Sequence, residues 1–213
     1  MKLLLNYENI EKEINDQLQK LKNFALYENK KDDIALLAEI VAKIHLHDLN
    51  QSNLPLYDYK WVIDLVKKDY DYKNNIISAL QMVSEMEYYN TDVEFKIKNK
   101  NFLTWDISKS NWHKEYRSGH IGNYVWDIAA ILNYVNDPSF SDIFLGSYIQ
   151  YGGKKPTLIS IYANLYYVKV AEAVMNDNFN EVIIMTDAIL NQNIFKTNII
   201  SKKTLNHLKI CGY

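Results

Sequence analysis

Asp106 and Asn111 stand five residues apart in "TWDISKSNW", a short polar stretch between Trp105 and Trp112. On a tight loop an Asp and an Asn at this spacing can share the work of phosphoryl transfer. The carboxylate faces the acceptor hydroxyl, and the amide oxygen turns back toward a divalent cation that bridges the phosphates. The same residue types also favour turns and helix starts, so the string taken alone reads more readily as a solvated turn or a cap, and only the order of the surrounding motifs brings the two readings level. Asp48 and Asn53 repeat the spacing in "HLHDLNQSNL". The histidines of that stretch, His45 and His47, are two residues apart and point to different faces of a helix. They read as residues near a helix C-terminus, where the dipole favours them, and not as metal ligands. His113 and His120 flank the central loop with no carboxylate or nucleophile at a defined spacing and read as surface residues.

These residues need elements to position them, and most of the chain has helical periodicity. Ile10, Ile14, Leu18, Leu21 and Ala25 form one stripe. Ile34, Leu37, Ala38, Val41 and Ile44 form a second, behind Asp32 or Asp33 as N-cap. After Pro55 the spacing predicts a short helix around Trp61, Val62 and Leu65, then a longer one through Ile76, Ile77, Leu80, Val83 and Met86. The period then changes to two, with Val93, Phe95 and Ile97 alternating with charged residues. Asn99 to Asn101 turn the chain into Phe102-Leu103-Thr104, a small hairpin that delivers it to Asp106. Helix returns through Tyr124, Ile128, Ile131, Leu132 and Val135, ending near Asp137-Pro138. Further helices are expected at about 139–150, 157–175, 179–192 and 201–209.

Composition narrows the function classes. The chain has 213 residues, with 48% hydrophobic and 23% charged, as in an ordinary globular protein, and only three prolines and six glycines to make linkers. A net charge of −2 argues against a general nucleic-acid binder, which needs a basic surface. The first apolar run stops at Leu5 and no segment has the length of a membrane span, so no membrane partner and a cytoplasmic location are expected. The single cysteine, Cys211, fits a reducing compartment. The chain holds seventeen tyrosines; Tyr162, Tyr166 and Tyr167 share one helix and read as core, or as the lining of an aromatic pocket for a cation.

Four segments resemble the aminoglycoside phosphotransferase and choline kinase-like family, in the same order. "FLTWDISKSNW" looks like its catalytic loop, "GNYVWDIAAIL" is similar to the segment whose Asp braces that loop, "LLAEIVAKIHLHDL" resembles the helix ending in Leu-His, and "FLGSYIQYGG" resembles the tail of the lobe. The resemblance implies a mostly α fold: a kinase-like helical lobe at 31–192 with one small β-hairpin, preceded by an N-terminal helix and connector at 1–30. A C-terminal helix and tail at 193–213 complete a single domain, 1–213, in which the family's N-terminal β-rich lobe is not expected. It also implies Asp106 as the catalytic Asp, Asn111 as the metal-binding Asn and Asp127 as the structural brace. ATP and Mg²⁺ would be the cofactors if the protein is active, and the substrate a small polar or cationic molecule with a hydroxyl.

Thr104 and Trp105 stand where the family has His-Gly, and Glu115 is the sole acid between Asn111 and Gly122. A different register makes Asp106 the metal Asp and Asp92 the catalytic one, but places Ile97 where Asn is required. No Gly-rich phosphate loop is present. A non-catalytic helical protein derived from such a kinase, binding a protein partner or forming a homodimer, is therefore the alternative, with no cofactor.

Overall fold

A computed structural model describes residues 31–46, 56–57, 59–66, 72–90, 103–104, 120–135 and 138–191. Within them lie helices α1 (Lys31–Leu46), α2 (Tyr59–Val66), α3 (Lys73–Asn90), α4 (Val125–Val135), α5 (Pro138–Gln150), α6 (Leu158–Asn176) and α7 (Asn180–Leu190). Three short strands, β1 (Leu56–Tyr57), β2 (Leu103–Thr104) and β3 (His120–Gly122), form one sheet in the order β1-β3-β2. The described part is thus mostly helical, as the periodicity predicts. The stretches 1–30, 93–97 and 201–209 lie outside it, and so do His47, Asp48, Asn53, Asp92, Asp106, Asn111, His113, Glu115 and Cys211.

Helix ends follow local chemistry. Asp32 and Asp33 lie within the first turn of α1 instead of preceding it, where their charges meet the positive end of the dipole. Pro138, expected at the end of the preceding helix, opens α5 at its first position, where a missing N–H costs nothing. Thr157 caps α6, its hydroxyl oxygen accepting from the N–H of Ser160 at 3.1 Å. α5 ends in a Schellman turn: the N–H of Gly153 bonds to the Tyr148 carbonyl at 2.9 Å and that of Gly152 to the Ile149 carbonyl at 3.0 Å. Gly152 has φ of +89°, which an L side chain rarely adopts.

Packing divides between two helix pairs. α1 lies along α5, α4 lies along α6, and α3 touches α2, α6 and α7. The buried faces join in one apolar cluster, with Ile34, Leu37 and Val41 from α1, Ile128 and Ile131 from α4, Phe140 and Phe144 from α5, and Val168 and Val170 from α6. Tyr162, Tyr166 and Tyr167 belong to this core, where Tyr167 stacks on Trp126 and the Tyr166 hydroxyl bonds to Thr186 at 2.6 Å. Desolvation pushes the Tyr166 phenol well above its ordinary range.

The first strand of the expected hairpin, 93–97, lies outside the described residues; its second, Leu103–Thr104, is a strand, and among the described residues it pairs antiparallel with β3, Leu103 opposite Ile121 and Thr104 opposite His120. β1, from a stretch with no strand signal, adds a parallel partner on the other side, Leu56 opposite Ile121 and Tyr57 opposite Gly122. Among the described residues, no helix is long and apolar enough to cross a membrane.

Candidate functional site

The site grows from two helix ends. α1 carries His45 in its last turn, and α4 carries Asp127 in its first. Both placements suit the helix dipole, a basic group at a C-terminus and an acid at an N-terminus. The two ends meet in the interior, where His45 is 2% exposed and Asp127 0%. Nε2 of His45 lies 3.0 Å from Oδ2 of Asp127, and Nδ1 lies 2.9 Å from the hydroxyl of Tyr148 on α5.

The hydrogen-bond partners accommodate one continuous arrangement of protons. The backbone N–H of Lys154 donates to the Tyr148 oxygen. In this arrangement the Tyr148 hydroxyl donates to Nδ1 of His45, and Nε2 carries the proton donated to Asp127. The chain Lys154 N–H, Tyr148, His45, Asp127 Oδ2 runs in one direction. Burial drives the Tyr148 phenol far above its ordinary range, and the nearby Tyr124 and Asp127 reinforce the shift, so it stays a neutral donor.

Aromatic packing holds the imidazole plane. The rings of Tyr124 and Tyr148 each meet His45 edge-on, with centroids 5.7 Å away, and stack on one another at 6.5 Å. Tyr148 in turn continues a ladder of Phe144 and Phe140, spaced four apart along α5. Gly153 closes against this ring. A Cβ there would sit 2.4 Å from Tyr148 Cε1 and Cζ, so only glycine permits the approach.

A second polar knot fixes the entry to α4. Asn123 accepts the Val125 N–H on Oδ1 at 3.0 Å and donates its amide to Oε1 of Glu87 at 2.7 Å. The same carboxylate oxygen accepts from Ser160 Oγ at 2.6 Å and from Asn164 Nδ2 at 2.9 Å. Three donors on one oxygen tie the last turns of α3 to the starts of α4 and α6. Such charge-assisted bonds are stronger than neutral ones.

The structure therefore places Asp127 in a buried, bonded position at the start of α4. His45, expected as a residue near a helix end, is there, yet it faces inward onto Asp127. Sequence reasoning assigned nothing to Tyr148, Glu87, Asn123, Ser160 or Asn164. One signal was available for His45: it continues the α1 stripe of Ile34, Ala38 and Val41 at helical spacing, so it must face the core. Asp106 and Asn111 lie outside the described residues. β2 ends at Thr104, two residues before Asp106, and β3 leads through Asn123 to α4. Among the described residues, no group of three or more His, Cys, Asp or Glu is arranged to hold a metal ion.

No known family profile matches the chain, and no solved structure matches it. The chain is similar to Protein Ycf2 of Physcomitrium patens, at 26% identity over 155 residues covering 69% of this chain. It spans only 6% of that protein's length. A likeness of this extent assigns no family.

Proposed function

We propose that the chain provides the helical lobe of a small-molecule phosphotransferase. In this reading Asp127 braces a loop that carries Asp106 and Asn111, and the acceptor is a hydroxyl on a small polar or cationic substrate. One observation carries the reading. The His45–Asp127 pair pins the first turn of α4 in the interior, and the strand bonded to the segment entering that turn, β2, ends two residues short of Asp106. Two segments that resemble the family's Leu-His helix and bracing Asp are thereby in contact, although 82 residues separate His45 from Asp127.

Asp106 would accept the proton of the attacking hydroxyl, and Asn111 would supply an oxygen to Mg²⁺. The cation, when bound with ATP, shields the negative charge of the phosphates. Thermal unfolding with ATP and Mg²⁺ tests the reading. A rise in Tm, with ATP turnover lost in Asp106→Ala, is the expected result. A Tm indifferent to millimolar ATP and Mg²⁺ rejects it.

A second reading rests on the surface. Leu46, Ile149 and Tyr151 are exposed where α1 and α5 end, and Gly152 brings the latter turn against Leu46. Such a patch suits a non-catalytic partner-binding or dimerising protein. Light scattering across a concentration series discriminates: a dimer that Leu46→Ser dissolves favours this reading.

A further inference from the structure

At the end of α4 remote from Asp127, a half-open cavity of about 220 Å³ lies between the last turns of α6 and the first turn of α7. Its floor is Ala173 and Val182, both buried. Its walls are polar: Lys169, Glu172 and Asn176 from α6, Asn178 from the turn, and Asn180 and Glu181 from α7. Lys169, Glu172 and Asn176 share a face through their helical spacing, with Ala173 beside them leaving the space open. The cavity exists because the chain reverses tightly here. Asp177 adopts the left-handed φ of 51°, and Asn178 donates its N–H back to the Ala173 carbonyl at 3.1 Å.

The charges in this cavity do not balance. Lys169 Nζ is committed to Glu181 Oε2 at 2.8 Å. Glu172 is left with an amide, since both its oxygens lie 3.1 Å from Nδ2 of Asn133 on α4. Burial pushes the Glu172 carboxyl above its ordinary range, and neither Lys169 nor the Asn133 bond fully offsets it. The lining thus presents one carboxylate in excess, half-buried, beside three asparagine side chains whose carbonyl oxygens accept hydrogen bonds. A divalent metal prefers several carboxylates at short range, and the described residues hold no such group. A single positive charge carrying N–H donors fits better, and the volume takes a small organic molecule.

We infer that this cavity binds a small organic monocation with a primary ammonium group, its N–H donors shared between Glu172 and the asparagine carbonyls. The site is separate from the one proposed for phosphoryl transfer. Asn133 follows Asp127 by six residues, about 9 Å along the helix axis. The inference holds whether or not the protein moves phosphate, and it makes the occupant a second ligand and not the phosphate acceptor.

Ethanolamine, a cation at neutral pH, and ethylene glycol, its neutral counterpart, are suitable probes, followed through the side-chain amide resonances of the intact chain. Ethanolamine is expected to give saturable shifts in the amides of Asn176, Asn178 and Asn180, with ethylene glycol giving none. Glu172→Gln keeps the side-chain shape and removes the charge, so it should weaken ethanolamine binding by about tenfold. Lys169→Met removes the competing cation and should tighten it several-fold. The opposite signs separate a binding role from a structural one, because loss of fold would weaken both variants. No saturable shift, equal shifts with ethylene glycol, no change in either variant, or displacement of ethanolamine by low concentrations of Ca²⁺ would overturn the inference.

Discussion

The two ends of α4 treat a buried carboxylate in opposite ways. At the first turn, Asp127 is fully buried but faces an imidazole 3.0 Å away and the positive end of its own helix. At the last turn, Asn133 meets Glu172, which is only half-buried; its hydrogen bonds there come from an amide, and desolvation pushes its carboxyl up despite the nearby Lys169. Burial is deeper at the first end, but the partners decide the outcome. A carboxylate matched by a cationic or N–H donor and by a helix dipole can be kept as a fixed structural charge. One bonded to a neutral amide, beside a lysine paired with another carboxylate, keeps capacity for a positive ligand. The first arrangement suits a brace and the second suits a binding site.

Breaking the matched end should cost most. His45→Ala removes the imidazole from the buried Asp127 charge, and urea unfolding should show a loss of about 3–5 kcal/mol. The double variant with Asp127→Ala should lose less than the sum of the two single changes, since the pair acts as one unit. Additive losses would mean that the two side chains do not stabilise each other.

Gly153→Ala comes next. Its new methyl would sit 2.4 Å from the Tyr148 ring, which is backed by Phe144 and Phe140 and cannot retreat freely. The expected cost is about 1–3 kcal/mol in the same unfolding experiment, with a changed near-ultraviolet circular dichroism signal from the displaced tyrosine. A fully native signal and Tm would show that the turn yields easily. Tyr148→Phe keeps the ring and removes the hydroxyl, leaving His45 Nδ1 without a donor and the Lys154 N–H without its acceptor. A loss of about 1–3 kcal/mol follows, with the ring ladder intact.

The unmatched end should respond least, and with a distinctive sign. The Glu172 pKa is raised in the folded chain, so between the ordinary value of 4.5 and the raised one the folded state binds more protons than the unfolded state. Stability contributed by Glu172 is therefore present below about 4.5 and is lost as pH rises through the folded pKa. Glu172→Gln should be neutral or slightly stabilising at neutral pH, and that advantage should shrink as the solution is acidified into this window. A variant that is destabilised at neutral pH and recovers in acid would reverse the comparison.

Much of the helical scaffold was legible in the sequence because its cause is local. The apolar spacing through Ile76, Leu80 and Val83 identifies α3, and Thr157 stands where α6 begins. Asp127 reads as a buried acid at a helix start because apolar residues surround it in "YVWDIAAI". What stayed hidden depends on contacts between distant segments. Strands of two or three residues, such as Leu56–Tyr57 and His120–Gly122, are too short for a period to be read. They exist because each supplies the other's backbone partner. The hydroxyl of Tyr148 has no distinguishing neighbour in the chain, and its bond to His45 spans 103 residues. The Glu87 knot gathers three segments whose polar residues look like ordinary surface in sequence. The excess charge at Glu172 arises only when the turn at Asp177 folds α7 back onto α6.

On the proposed function, the matched end of α4 would support a loop that engages a nucleotide and its cation. Titration calorimetry of ATP with Mg²⁺ tests it most directly, on the natural chain, on Asn111→Ala and on Asp127→Asn, with circular dichroism confirming that each is folded. Saturable heat is expected for the natural chain, none for Asn111→Ala and weakened binding for folded Asp127→Asn. Equal heats in all three, or none in the natural chain, would contradict it.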